Sequence, residues 1–325
     1  MPEDSPAGPS LASLRDGDEF EGFYAVRESS FQTAVNGKSY IRLTLSDASA
    51  SLPANVWDAS RDLFALCPAG SLVKVKGTAE SYKGKPQIRI ARFRPAHESE
   101  VSPDYFLPKS RRDIGVMSGE FLALVDSIRD PDYLALANAF FRDEGLRTRF
   151  FRSPAAREVH HAYVGGLLEH TLNVSILAVA FAAKARVNRD LLLTGALLHD
   201  VGKVEELTAK ITMDYSDRGK LLGHLYLGAE MLSARAAPLA GFPAEKLALI
   251  QHLILSHHGR FEYGSPVLPK IPEAFALHHL DNLDAKVETA NRLLDGIPDP
   301  DCHWTEYSRV MEASLYREEG RHARE

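Results

Sequence analysis

Cysteine is scarce: Cys67 and Cys302 are the only two in 325 residues, too few for a disulfide framework or a thiolate zinc site. A metal, if held, must therefore sit on histidine and carboxylate, a donor set that suits Mn, Fe, Co, Ni, Zn and, less well, Mg. No apolar run approaches the roughly 20 residues of a membrane span, and the N-terminal MPEDSPAGPS is acidic and proline-rich, unlike a signal peptide. The expectation is a cytoplasmic chain with no membrane association. An excess of basic charge is missing too, since the formal net charge is -6. That argues against nucleic-acid binding by the whole surface but leaves room for a local basic groove. Internal repeats and low-complexity runs are absent. What remains is 45% hydrophobic and 25% charged, an ordinary globular composition, at a length that suits two domains with separate cores.

The period of the apolar pattern changes once along the chain. After a polar, flexible leader over residues 1–16, residues 17–96 carry short stretches such as SYIRLTLSD, SLVKVKGTAE and PQIRIARFR, alternating apolar and polar as half-buried strands do. Asn36-Gly37 and YKGKP mark hairpin turns. Five strands in so short a span predict a small closed barrel of OB type, with Ile41, Leu43, Leu45, Val73, Val75, Ile88 and Ile90 inward. Arg42 and Lys85, interleaved with Trp57 and Tyr82, would then face outward as a single-strand platform, because phosphates attract cations and unstacked bases stack on flat rings. A solvated strand face is the plainer alternative. Residues 97–115 read as a linker, residues 116–300 as an all-helical domain, and residues 301–325 as a tail with an amphipathic helix over Trp304–Tyr316.

Within the helical part, LLLTGALLHDVGK ends an apolar helix on His199-Asp200. A side-by-side imidazole and carboxylate at a buried helix end are costly to desolvate, and a divalent cation offsets that cost; a hydrogen-bonded pair ordering the helix end is the alternative. His170, His224, His257-His258 and Asp281 each end or interrupt a further apolar run with helical spacing, so each can point into one bundle interior. His257 continues the phase of Ile250, Leu253 and Ile254 and ranks ahead of His258 as a ligand. Arg147, Arg149, Arg152 and Arg157 precede His160-His161 as a basic patch within reach of such a site.

The order His170, His199-Asp200, His224, His257, Asp281 resembles that of the HD-domain superfamily of metal-dependent phosphohydrolases. The flanking words HHAYVGGLLEHT, LLHDVGK, HLILSHHG and LHHLDNLDAK, behind an N-terminal β domain, are similar to those of the YhaM-type 3′-5′ exoribonucleases over about Gly17 to Arg292. The resemblance implies a metal core of His170, His199, Asp200 and Asp281. With His224 and His257 added, Asp200 could bridge two divalent ions about 4 Å apart, with Mn²⁺ ranked first. Lys203 is expected near the phosphate or an acidic partner, and either His257 or His258 could protonate the leaving oxygen, with His258 taken as the catalytic one. Arg260 is expected at the substrate as a fork-shaped phosphate donor, and His161 and His278 either at the substrate or behind the metal ligands.

The reading is thus a metal-dependent exonuclease on single-stranded RNA, with single-stranded DNA a second substrate class and the tail a candidate for homo-oligomer formation. Two alternatives stand beside it. One keeps the site but acts on a nucleotide or cyclic dinucleotide, and the other is a non-catalytic single-strand-binding protein.

Overall fold

The computed structural model describes residues 7–319 apart from 35–36, 98, 103–104, 158–160, 210–212, 298 and 300. The chain divides into two compact units, residues 1–109 with 208–214 and residues 110–207 with 215–325.

The first unit is a closed five-stranded barrel. Strands β1 (Glu19–Thr33), β2 (Ser39–Ser46), β3 (Ser51–Trp57), β4 (Leu72–Tyr82) and β5 (Lys85–Pro95) run in the order β1-β2-β3-β5-β4 and close through β1 and β4. Neighbours are antiparallel except β3 and β5, which pair in parallel at Ala54↔Ile88 and Asn55↔Arg89, and a short helix α1 (Arg61–Phe64) follows β3. The inward set is as the alternation requires: Ile41, Leu43, Leu45, Val73, Val75, Ile88 and Ile90 are all buried. The β4–β5 hairpin turns on Lys83 and Gly84, both at positive φ, as a two-residue primed turn demands. Asn36, the other expected turn residue, lies outside the described residues.

From residue 7 onward the leader is packed where a loose segment was expected. Leu11 is buried in the barrel core, its N–H donates to Asp47 Oδ2 at 2.7 Å, and the Tyr24 hydroxyl donates to the Pro9 carbonyl at 2.8 Å. Much of the expected linker is packed as well, because Val101 and Phe106 bury against Ala25 and Leu72.

The second unit is helical: α2 (Ile114–Asp126), α3 (Pro131–Phe141), α4 (Glu144–Arg152), α5 (Gly166–Ala182), α6 (Arg189–Leu198), α7 (Lys203–Glu206), α8 (Asp217–Ala236), α9 (Ala244–Ser256) and α10 (Pro272–Asp295). In chain order a small two-stranded sheet of β6 (Leu207–Ala209) and β7 (Met213–Tyr215) comes between α7 and α8, and its residues 208–214 group with the first unit. Local chemistry sets the starts. Asp130 caps α3 with Pro131 in its first turn, and Asn188 caps α6 by accepting from the N–H groups of Asp190 and Leu191, as these residue types do. The apolar stripes of α2 to α6, α9 and α10 share one core, in which Phe121, Phe141, Leu168, Leu172, Leu197 and Leu253 are fully buried.

The described residues of the tail, 301–319, form no helix. Trp304 bridges Tyr316 and Ser308 bridges Ala313 in antiparallel fashion, and the Arg317 guanidinium donates to the carbonyls of Ile297, Asp299 and Cys302. Those bonds fold the segment back on itself, and the exposed Trp304, Tyr307 and Tyr316 keep to one short loop rather than a helical stripe.

Candidate metal centre

Five segments of the helical unit meet at one point. His170 comes from the first half of α5, His199 and Asp200 from the end of α6, His224 from α8, His257 from the end of α9 and Asp281 from α10. His170 Nε2 lies 3.1 Å from Asp281 Oδ1, 3.5 Å from Asp200 Oδ2 and 3.2 Å from His199 Nε2. His199 Nε2 is 3.3 Å from Asp200 Oδ2 and 3.8 Å from Asp281 Oδ1. On the other side of the same carboxylate, Asp200 Oδ1 is 3.6 Å from both His224 Nε2 and His257 Nε2. The single Asp200 side chain therefore faces two nests of donors, and His258 clusters with His224 and His257 in the second.

Each imidazole is oriented from behind. Nδ1 of His199 donates to the Ala196 carbonyl at 2.7 Å, that of His257 to the Ile254 carbonyl at 2.8 Å and that of His258 to the Tyr263 carbonyl at 2.8 Å. A carbonyl only accepts, so in all three the proton sits on Nδ1 and the Nε2 lone pair points forward. Carboxylates do the same for the other two. Asp284 Oδ2 accepts from His170 Nδ1 at 2.7 Å, and Glu206 accepts from His224 Nδ1 at 3.0–3.1 Å.

Two local features permit this convergence. Gly202 stands against the backbone of α8, where a Cβ would lie 2.1 Å from the His224 carbonyl oxygen, so only glycine lets α8 approach the turn after Asp200. Gly223 breaks α8 at φ 72°, ψ 156°, which frees the His224 N–H to donate to Glu206 Oε1 at 3.0 Å.

The donor set fits a divalent cation on three counts. Asp200 Oδ1 and His224 Nε2 are buried with no hydrogen-bond partner among the described residues, a state that costs free energy unless a cation or water satisfies them. His170 Nε2 and His199 Nε2 face each other at 3.2 Å with both Nδ1 protons already donated, so their lone pairs require a proton or a cation between them. All ligand atoms are N or O in a deeply buried cluster, the hard-to-borderline set expected without thiolate.

The electrostatics agree. Burial opposes the charged form of His170, but hydrogen bonds to Asp281 and Asp284 and the charge of Asp200 outweigh it and raise its pKa to about 9. A proton thus holds the place that a cation would take, and binding would release it. Burial pushes His257 well below the ordinary imidazole range, with His258 and His199 adding to the effect, which leaves it neutral as a ligand must be. For Asp200, burial is overridden by Lys203 and His199, so its carboxyl stays ionised. Lys203 Nζ lies 2.6 Å from Asp200 Oδ2, and burial lowers its pKa less than Asp200 raises it.

Comparison with known proteins places this geometry. Residues 167–286 match the HD domain family model. A 3′-5′ exoribonuclease YhaM of Bacillus velezensis is 35% identical over 283 residues, 86% of this chain and 89% of that protein. The chain belongs to the YhaM family of 3′-5′ exoribonucleases. The YhaM proteins of Bacillus subtilis (strain 168) and Geobacillus sp. (strain WCH70) are each 34% identical over 86% of this chain. Among solved structures, the second OB-fold domain of replication protein A from Methanococcus maripaludis is 14% identical, covers 27% of this chain and 94% of that one, and superposes with a TM-score of 0.24, too slight a likeness to bear on function.

Other expected residues of this YhaM family member fall in different places. Lys203, His257, His258 and His278 line, with Asp200 and Asp281, an open cavity of about 220 Å³; His278 Nδ1 donates to the His257 carbonyl at 2.9 Å. His161 is buried behind His170 and donates to Asp284 Oδ2 at 2.9 Å, so it holds the carboxylate and does not reach substrate. Arg260 is outside the lining. The left-handed Gly259 turn reverses the chain there, and its guanidinium packs over the Tyr263 ring at 5.8 Å. Arg149, from the basic patch, is spent on Glu205 and the Val204 carbonyl, and His160 lies outside the described residues.

On the barrel, Arg42, Asn55 and Arg89 stand in register across β2, β3 and β5, beside the Tyr40–Trp57 stack with centroids 5.0 Å apart. Tyr82 and Lys85 close the outer end of the β4–β5 hairpin. Trp57 and Tyr82 are both about half exposed, at 49% and 58%.

Residues that the histidine pattern missed are Asp284, Glu206, Tyr163 and Glu169. Tyr163 donates its one hydroxyl proton to Glu169 at 2.9 Å and so accepts from His161 Nδ1 at 2.7 Å, extending the support of His170 by two further links. Asp284 was visible as a carboxylate one helical turn after Asp281; the others carry no signal without the fold.

Proposed function

We propose that this chain hydrolyses single-stranded RNA from the 3′ end in a reaction dependent on divalent metal, with two ions and Mn²⁺ as the preferred one. Family membership together with the double-faced Asp200 carboxylate carries this reading. His170, His199, Asp281 and Asp200 Oδ2 would hold one ion, and Asp200 Oδ1, His224 and His257 the other. Such ions supply an activated water near neutral pH and a Lewis acid for the phosphoryl oxygens.

The chain's own residues account for the rest. Lys203 neutralises Asp200 and presents a cation to the cavity, where it can contact a phosphate oxygen without leaving the carboxylate. His258, fixed through Nδ1, offers its Nε2 lone pair to the cavity, where it would take a proton from the attacking water and pass it to the departing oxygen. A cavity of about 220 Å³ is smaller than the roughly 300 Å³ at which ordinary ligand sites begin, so it suits the end of one strand and excludes a duplex. Arg42 and Trp57 on one part of the barrel and Tyr82 and Lys85 at the β4–β5 turn give it the mixture of cations and flat rings that tracks a single strand irrespective of sequence, and single-stranded DNA meets the same requirements. No helix of the described residues is long and apolar enough to cross a membrane, consistent with a cytoplasmic enzyme. The exposed Trp304 and Tyr307 of the tail are candidates for homo-oligomer contacts, which light scattering would detect.

The decisive experiment uses end-labelled single-stranded RNA with and without Mn²⁺. Mononucleotides should appear from the 3′ terminus only with metal, and Asp200→Ala should abolish their release while strand binding persists. Turnover by Asp200→Ala in chelator would sink the proposal. Cleavage confined to cyclic dinucleotides would support the small-molecule alternative instead.

A further inference from the structure

We propose that Tyr263 is the stacking platform for the base of the 3′-terminal nucleotide, a subsite at the rim of the cavity that holds Asp200, Lys203 and Asp281. The inference rests on the nuclease reading above and names the part of the substrate that the rim would take.

The segment between α9 and α10 carries Pro266, Pro269 and Pro272 and cannot continue either helix. It forms a tight turn over Phe261–Tyr263 instead. The Tyr263 N–H donates to the Arg260 carbonyl at 3.2 Å and the Gly264 N–H to the Phe261 carbonyl at 2.9 Å, with Gly264 at φ 91° ending the turn. This holds a tyrosine that lines the cavity and is nevertheless 58% exposed. An aromatic ring fixed in that position by its backbone, and covered by so little protein, has a flat face available to a ligand.

Three neighbouring features suit that ligand to a nucleotide. The Arg260 guanidinium sits over the Tyr263 ring at 5.8 Å, adding positive charge beside the flat surface, and rings with adjacent arginine are the usual partners of unstacked bases. Asn282, next to Asp281 on α10, lines the same cavity, is half-buried and has a side-chain amide with no hydrogen bond among the described residues. That amide can meet the sugar or a base edge. Ala285 completes the lining on α10 with a side chain small enough to leave room.

The turn is also tied to the reacting end of the site. The Tyr263 carbonyl accepts the Nδ1 proton of His258 at 2.8 Å, so the ring and His258 share one rigid piece of backbone. A base seated on the ring is thereby held at a fixed offset from the histidine placed to protonate the leaving oxygen. Replacing the side chain alone leaves this carbonyl in place.

The test is a double cycle on the full-length protein with Mn²⁺ and end-labelled single-stranded RNA, using an intact 3′ end and an otherwise identical strand whose 3′-terminal nucleotide is abasic. Tyr263→Ala should raise KM for the intact strand by roughly 5- to 100-fold, the range that one stacked base contributes, with the change falling on KM rather than kcat. The abasic strand should show a comparable rise with the unsubstituted enzyme and little further rise with Tyr263→Ala. Tyr263→Phe, which keeps the ring, should behave as the unsubstituted enzyme does. An unsubstituted enzyme indifferent to the abasic end would overturn the platform, even if Tyr263→Ala failed to fold. So would an alanine variant that loses as much on the abasic strand as on the intact one. If the unsubstituted enzyme releases no mononucleotides from the intact strand, the nuclease reading falls first and the platform with it.

Discussion

Asp284 offers the sharpest test of how the centre is held together, because it is not among the residues that line the cavity and acts on the centre through His170. Its carboxylate accepts three hydrogen bonds, from His170 Nδ1 at 2.7 Å, His161 Nε2 at 2.9 Å and Asn173 Nδ2 at 3.0 Å, and the two imidazoles and their surroundings hold its pKa below the usual carboxylate range against the opposing effect of burial. Asp284→Asn preserves the shape: one oxygen can still take both imidazole protons, and the new amide can meet a flipped Asn173. What disappears is the charge. A hydrogen bond to a charged group contributes about 1.5–3 kcal/mol and a neutral one about 0.5–1.5, so the bond that orients His170 should weaken by about 1–2 kcal/mol. That corresponds to a roughly 5- to 30-fold loss of metal affinity, overlapping the roughly 10- to 100-fold typical of residues behind a ligand. The measurement is a Mn²⁺ titration of RNA hydrolysis paired with direct binding by calorimetry. The midpoint should shift by that factor, and excess Mn²⁺ should restore most of the rate. Asp200→Ala, which removes donor atoms from both nests, should not be rescued at any concentration. A titration midpoint unchanged by Asp284→Asn would refute the idea that this carboxylate tunes the ligand.

Other consequences can be checked with equal economy. Gly202→Ala places a Cβ 2.1 Å from the His224 carbonyl; backbone cannot yield there cheaply, so the substitution should lower stability by roughly 1–3 kcal/mol and cost metal affinity, measured by chemical denaturation and metal titration. Asp190 accepts from the N–H groups of Arg129 and Asp130 at 2.8 Å each, and these with Arg189 hold its carboxyl below the usual range although burial pushes the other way. Because the folded pKa is the lower one, its contribution is complete above the unfolded value of about 3.9 and fades as pH falls through the folded one. Asp190→Asn should therefore cost about 1–3 kcal/mol at neutral pH, a gap that urea denaturation should find narrowing in acid. On the barrel, Trp57→Ala should weaken binding of single strands by about 1–3 kcal/mol, whereas Arg42→Ala should mainly flatten the salt dependence, by about one unit of slope if it contacts a phosphate; fluorescence anisotropy across a salt series separates the two.

Much of this arrangement was legible from spacing alone because it rests on periodicity. Ile41, Leu43 and Leu45 alternate on β2, and His170, His257 and Asp281 each keep phase with an apolar helical stripe, so the faces they share follow from a count of residues. Spacing was blind wherever an element meets another out of phase. Glu206 closes a four-residue helix and clamps His224 from a different segment. His161 sits at a left-handed φ of 48°, which turns its ring away from substrate and onto Asp284. Leu11 in the leader belongs to the barrel core, a contact that no alternation in the leader announces. In the tail, Trp304, Tyr307 and Tyr316 imitate an amphipathic pattern, but Arg317 satisfies carbonyls that a helix would have satisfied internally, and the chain doubles back.

The shared carboxylate has one more implication. The nest around His170 contains Asp281 and half of Asp200, while the one around His257 is built from imidazoles and owns no acid outright. Unequal charge means unequal grip: if two ions bind as proposed, withdrawal of the metal should empty the imidazole side first and leave a protein that retains one.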